Sequence, residues 1–457
     1  MKHIIKSVIA LSICLLLHSC ESFTEVDAPQ TQITSPAVFE ETSSANAALA
    51  DIYSRIREEG VVTGNNTGGT VLLANYSDDL QFYGTNVTIE QFAKHTLLPS
   101  NTYINTLWRS TYSHIYATNA FLEGVRASVK ITGEDRNRFM GEALFIRAYL
   151  HFYLVNMYGQ IPYVTTTDYG VNTGIPKAAV PEVYRLILAD LIEAKSLIPD
   201  AYPTSEPVRP NKAVVTAMLA RVSLYTQDWQ NAQEYATAVL NNELYRWQEN
   251  PSVEFLKSNP AIIWAFHPGV AGLNTRDARS FAFTAGPPSR STLSSDLLNT
   301  FETGDLRRTL WIKTIASQNT IWYHANKYKK TTNTGTSVEY TILFRLAELY
   351  LIRAESRAML NNLDGAKDDV NTIRNRAGLA DTDAVTQAEV VKAVAKERRL
   401  ELFTEQGHRF FDLKRTGKAD EVLSITKPNW QSTHIVLPLP ENELLLNEKL
   451  LPQNTGY

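Results

Sequence analysis

The chain has 457 residues, 44% of them hydrophobic, with 44 basic against 48 acidic side chains and a formal net charge of −4. That composition suits a packed globule, and the near balance of charge gives no general attraction to a phosphate backbone. Lys327, Lys329 and Lys330 make only a short local run, so nucleic acid is not an expected partner.

The N-terminus reads as an export signal. Met1-Lys2-His3 with Lys6 is basic, and the apolar run Ser7 to Leu17 is too short to span a bilayer. It ends in Leu17-His18-Ser19-Cys20, similar to a bacterial lipobox whose cysteine thiol takes the lipid, although His18 departs from the usual small or apolar residue. The expected processing removes residues 1–19, acylates Cys20 and leaves residues 20–36 as a polar, acidic tether to a single body over residues 37–457. The only other cysteine, Cys14, lies in the segment to be removed, so neither a disulfide nor a cysteine metal site is expected. No later apolar stretch approaches a membrane span, which makes the lipid the only expected membrane anchor.

Helical patterning dominates the body. The predicted helices run over 39–59, 101–130 (one or two), 136–158, 181–197, 211–226, 229–241, 344–360, 364–377 and 386–406. The helix at 136–158, closed by Gly159 and Pro162, is apolar on nearly every side and therefore expected in the core. Ala220 and Ala232 stand twelve residues apart across one predicted turn, and Ala354 and Ala366 twelve apart across another. Ala236 and Val239 match Val370 and Ile373 in step. Small residues at that spacing let antiparallel helices approach closely, a repeat similar to a tetratricopeptide hairpin.

Two irregular regions interrupt the helices, 60–100 and 244–339. The first is too rich in Gly and Asn for a helix; the second holds a strand-like Ala261 to Phe266 and a turn at Ala285 to Ser289. Long insertions on a helical scaffold are usually functional, so a ligand is sought there.

Four segments carry a family resemblance. Phe145 to Val164, with its Tyr158-Gly159-Gln160-Ile161-Pro162 turn, Arg345 to Glu355, Glu397 to Phe403 followed by Gly407 to Arg415, and the ending Leu437 to Tyr457 each resemble the SusD/RagB family, in order along the chain. The residues themselves argue for scaffold in the third segment, where Arg398, Arg399, Glu401, Arg409 and Asp412 stand among apolar neighbours as buried ion pairs do. His408 has no evident nucleophile or metal partner in sequence and reads as a packing residue.

The resemblance implies a mainly α fold, tetratricopeptide-like helical hairpins with irregular loop insertions and a few short strands. It further implies a non-enzymatic lipoprotein on the outer membrane, facing outward, that binds a glycan and delivers it to a SusC-type TonB-dependent barrel, with no cofactor or metal. The second insertion is short for the family, which implies a smaller ligand or a site completed by the barrel. The resemblance also implies ligand contacts from loops in the first hundred residues and from the later insertion, which makes Asn75, Tyr76, Asp78, Asp79, Tyr83, Trp108, Trp311, Trp322 and Tyr323 the candidate ligand residues, in keeping with sugar rings that stack on aromatic faces and hydroxyls that seek amides and charged groups. Two alternatives are a peptide-binding, RagB-like component and a tetratricopeptide-like scaffold for a protein partner alone. A glycosidase would need two carboxylates at a defined separation in one cleft, which adjacent Asp78 and Asp79 do not identify.

Overall fold

The computed structural model describes residues 36–317 and 319–457; the export signal, Cys20 and nearly all of the tether lie outside them. After helix α1 (Thr42–Glu58), the first insertion contains two helices, α2 (Gly69–Tyr76) and α3 (Val87–Lys94), on either side of strand β1 (Leu80–Phe82). This corrects the expectation that the region is wholly non-helical. Its glycines and asparagines start the helices instead: a Cβ on Gly69 would lie 2.1 Å from the Val61 carbonyl oxygen, and the Asn86 side chain accepts from the Thr88 and Ile89 N–H groups.

The scaffold follows as α4 (Thr102–Ala127), α5 (Gly133–Tyr158), α6 (Val180–Leu197), α7 (Lys212–Tyr225), α8 (Trp229–Leu240), α9 (Leu346–Met359), α10 (Leu363–Arg376) and α11 (Gln387–Leu402). Each packs on the next, so the array grows as a stack of antiparallel hairpins. Side-chain oxygens of Asn101, Asn211, Asp228, Asn362 and Thr386 cap the N-termini of α4, α7, α8, α10 and α11. Ala220, Ala232, Ala354 and Ala366 are fully buried where the paired helices meet, as the repeat predicted. Every residue of α5 from Gly141 to Tyr158 is buried, and its two buried charges are matched: Arg147 holds Asp190 through two bonds of 2.7 Å, and Glu142 takes Arg209 at 2.6 and 3.0 Å. Arg221 on α7 reaches Glu348 on α9 through two bonds of 2.7 Å, tying one hairpin to the next.

The second insertion leaves between α8 and α9 and is closed at its base by β2 (Ile262–Phe266), which pairs antiparallel with a strand at its far end. Between them lie β3 (Ser291–Leu293) and the antiparallel pair β4 (Ile312–Ser317) and β5 (Thr320–Ala325); the closing strand is β6 (Thr341–Arg345). Phe344 and Arg345, predicted to begin a helix, therefore end a strand, because pairing with β2 outweighs helix propensity. The helix predicted to run to residue 406 stops at Leu402, where Thr404, Gln406 and Gly407 take positive φ before α12 (His408–Arg415) and α13 (Ala419–Thr426).

A second apolar core gathers Phe255, Leu297 and Trp311 of this insertion with Val71 and Leu80 of the first and Leu400 and Phe403 of the α11 end. Beside it lies a buried ionic lattice. Glu401 pairs with Arg345, Arg376 and Arg307; Glu405 pairs with Arg345 at 2.9 Å and Lys327 at 2.5 Å; Glu254 reaches Arg345 and Arg376, each at 3.1 Å. Burial alone would raise the Glu401 carboxyl, but Arg376, Arg345 and Arg307 hold it well below the usual carboxylate range. The Glu397 to Phe403 motif thus bolts the insertion onto the helical stack.

Candidate functional site

The two insertions singled out in the sequence meet. β1 pairs antiparallel with β3 in the register Leu80↔Leu293, Gln81↔Thr292 and Phe82↔Ser291, and the Tyr83 N–H extends the ladder to the Arg290 carbonyl at 3.1 Å. β3 is held to β5 through Thr292, whose hydroxyl donates to the Tyr323 carbonyl at 2.6 Å. The Ser294 N–H donates to the Asp79 carbonyl at 2.9 Å. The ends of these strands form one rim.

Three candidate residues lie at this junction. Tyr83 is 41% exposed and meets the half-buried Trp322 ring edge-to-face, centroids 4.9 Å apart and planes at 86°. Trp322 lies against Gly286: a Cβ there would fall 2.1 Å from the indole Cδ1 and Nε1, so only glycine admits the ring in this position. Tyr323 belongs to the other face of β5, since successive strand residues point to opposite sides, and its ring carries the Arg308 guanidinium at 4.7 Å. Trp322 and Tyr323 therefore do not line one surface. Gln81, exposed and two residues before Tyr83 on the same side of the strand, is missed in the sequence; the alternation of apolar Leu80 and Phe82 with polar Gln81 and Tyr83 is the signal that could have found it.

The other candidates are corrected. Asn75, Tyr76, Asp78, Asp79 and Trp311 are at most 2% exposed, so their side chains are taken up inside the protein. Tyr76 donates to the His434 carbonyl at 2.8 Å, and the Asn75 side chain donates to the Val71 carbonyl and accepts from Ser291. The Trp311 indole donates to the Pro251 carbonyl at 2.8 Å and packs on Phe255. Asp78 receives two bonds from Arg409 at 2.7 and 2.8 Å and lies 2.7 Å from Arg399, which clamps the start of β1 to α11 and α12. Burial would raise its carboxyl, but Arg409 and then Arg399 hold it down; burial and the Asp78 charge together push neighbouring Asp79 up. Trp108 is 3% exposed and packs on Tyr112 and Tyr158; it lines a separate cleft of about 400 Å³ with Tyr116 and Tyr169, away from the junction. Ion pairing to Arg409 and Arg399 takes up Asp78, whereas neutral hydrogen bonds and ring packing take up Asn75, Tyr76, Trp311 and Trp108, and no local pattern in the sequence shows either.

Lys427, distant in sequence, holds the junction from below. Its buried ammonium donates to the carbonyls of Asn75 at 2.8 Å and of Leu80 and Ala93 at 3.3 Å, at the ends of α2, β1 and α3. His408 is buried, and burial lowers its imidazole to about 4, so it is neutral at pH 7. Among the described residues no group of three His, Cys, Asp or Glu side chains is placed to hold a metal ion, and no helix is long and apolar enough to cross a membrane.

A family model described as "Starch-binding associating with outer membrane" matches residues 28–224, and the SusD family model matches residues 311–457. SusD-like protein P2 of Formosa agariphila is 26% identical over 92% of this chain and 93% of its own length. A SusD superfamily protein of Bacteroides vulgatus superimposes with a TM-score of 0.81 at 20% identity, covering 91% of this chain and 99% of that one. A laminarin-binding SusD-like protein superimposes with a TM-score of 0.75 at 25% identity, covering 91% and 99%. With four ordered motifs, two matching family models and a shared fold over nearly the whole described length, the chain belongs to the SusD/RagB family.

Proposed function

We propose that this protein is a cell-surface lipoprotein, anchored through Cys20, that binds a glycan and delivers it to a SusC-type TonB-dependent transporter in the outer membrane. The observation that carries the reading is the joining of the two insertions by β1 and β3, which sets Tyr83 and Trp322 edge-to-face on a rim with exposed Gln81 beside them. An aromatic edge with an amide at its side is the chemistry that sugar C–H faces and hydroxyls require, and a prebuilt, shallow site of this kind gives modest affinity. One structural relative is laminarin-binding, which makes laminarin the first ligand to try.

Asp78 and Asp79 are both buried, Asp78 in two bonds from Arg409, so these adjacent acids do not supply a carboxylate pair at the rim. Screening the purified protein against an array of neutral and anionic glycans and peptides tests the reading. Glycan signals that disappear in Tyr83→Ala are expected; peptide signals alone, or silence throughout, would refute it.

A further inference from the structure

A groove of about 740 Å³ runs along α11 and the α12–α13 corner, apart from the rim. Seven of its seventeen lining residues are basic and three acidic, and none is aromatic. Arg398, one of them, is 2% exposed; its Nε donates to Asp412 at 2.8 Å, yet neither terminal nitrogen has a hydrogen-bond partner among the described residues. A buried guanidinium with unmet donors is costly unless something supplies acceptors. Arg399 and Arg409 share the carboxylate of Asp78, with Asp79 4.0 Å from Arg399, while Arg415 pairs with Glu355 and Asp412, Lys396 with Glu302 and Lys418 with Glu421; Lys392 is exposed with no ion pair among the described residues, and the lining keeps a net excess of basic side chains. Val391, Ala395 and Leu413 add aliphatic surface.

Sugar rings would find no stacking partner here, whereas a chain carrying carboxylates and aliphatic side chains would find both complements. We propose that this groove is a docking site for an acidic peptide segment of a partner protein, with carboxylates seated towards Arg398 and Lys392 and aliphatic side chains on Val391 and Ala395. This assignment does not depend on glycan binding at the rim.

The test is fluorescence anisotropy of a labelled peptide alternating Glu and Val, titrated with the whole protein at low salt. Binding about tenfold tighter than for the same peptide with Gln in place of Glu is expected. Combined Lys392→Glu and Lys418→Glu, the first unpaired among the described residues and the second in an exposed pair with Glu421 that contributes little to stability, should weaken it about tenfold or more while thermal melting shifts by no more than a few degrees and glycan binding at the rim stays unchanged. Equal binding of the two peptides, no saturable binding, or indifference to the double variant would overturn the proposal. So would an oligogalacturonate that binds the groove more tightly than the peptide, which would assign it to an anionic glycan.

Discussion

Replacing Asp78 by Asn should cost far more than a change of one surface charge. The carboxylate is 1% exposed, receives two bonds from Arg409 at 2.7 and 2.8 Å, and lies 2.7 Å from Arg399. Asn keeps one acceptor oxygen and loses the charge, so two largely buried guanidiniums are left underpaired, a class of change that costs about 3 to 5 kcal/mol. Asp79 can recover part of this. It lies 4.0 Å from Arg399, and the Asp78 charge is one of the two influences holding its carboxyl up, so removing that charge favours its ionisation towards Arg399. A loss near the lower figure, about 3 kcal/mol, is expected for Asp78→Asn, with Asp78→Asn/Asp79→Asn exceeding the sum of the single variants by about 1 to 2 kcal/mol. Urea unfolding read by far-ultraviolet circular dichroism, with linear extrapolation of each variant, measures both quantities. A loss under about 1 kcal/mol for Asp78→Asn, or strict additivity of the pair, would refute the clamp and reopen Asp78 as a residue available to a ligand.

Gly286→Ala should drive the Trp322 indole from its place, since the new Cβ would lie 2.1 Å from it; glycan affinity should fall about tenfold or more with a change in melting temperature of only a few degrees, checked by titration and a thermal melt on the same sample. Ala366→Leu should destabilise the protein by about 1 to 3 kcal/mol, because the residue is fully buried where α10 meets α9, and urea unfolding would detect it. Stability should also fall as pH drops below 6.5: burial lowers His408 to about 4 and His151 to about 3, so between those values and 6.5 the unfolded chain binds protons that the folded protein does not. Each histidine should contribute about 2 kcal/mol of loss by pH 5, and His408→Asn should flatten the profile of melting temperature against pH between 6.5 and 5.

The helical body was largely legible in the sequence because its signals are local. Alanines twelve apart, capping residues such as Asn101, Asn211 and Thr386, and an all-round apolar α5 each announce themselves within a turn or two of helix. The two insertions were legible as places but not as surfaces. Which residues of Asn75 to Tyr83 face outward depends on β3, more than 200 residues away, and on arginines from α11 and α12 that no local pattern pairs with Asp78. Trp311 and Trp322 look alike in sequence, yet one donates its indole to Pro251 inside a core and the other borders Tyr83 at the rim. The Glu397 to Arg415 motif reads as scaffold from its mixture of charges and aromatics; that its acids Glu401 and Glu405 chiefly take arginines and a lysine from the second insertion and α10 follows only from the fold.

Isothermal titration of the whole protein with laminarin oligosaccharides, side by side with Tyr83→Ala, Trp322→Ala and Trp108→Ala, tests glycan capture at the strand junction most directly. Saturable binding that is weakened about tenfold or more by Tyr83→Ala and by Trp322→Ala, and retained by Trp108→Ala at a temperature where that variant is folded, is the predicted result. Unaltered affinity in both rim variants, or loss confined to Trp108→Ala, would contradict it and move the site to the other cleft.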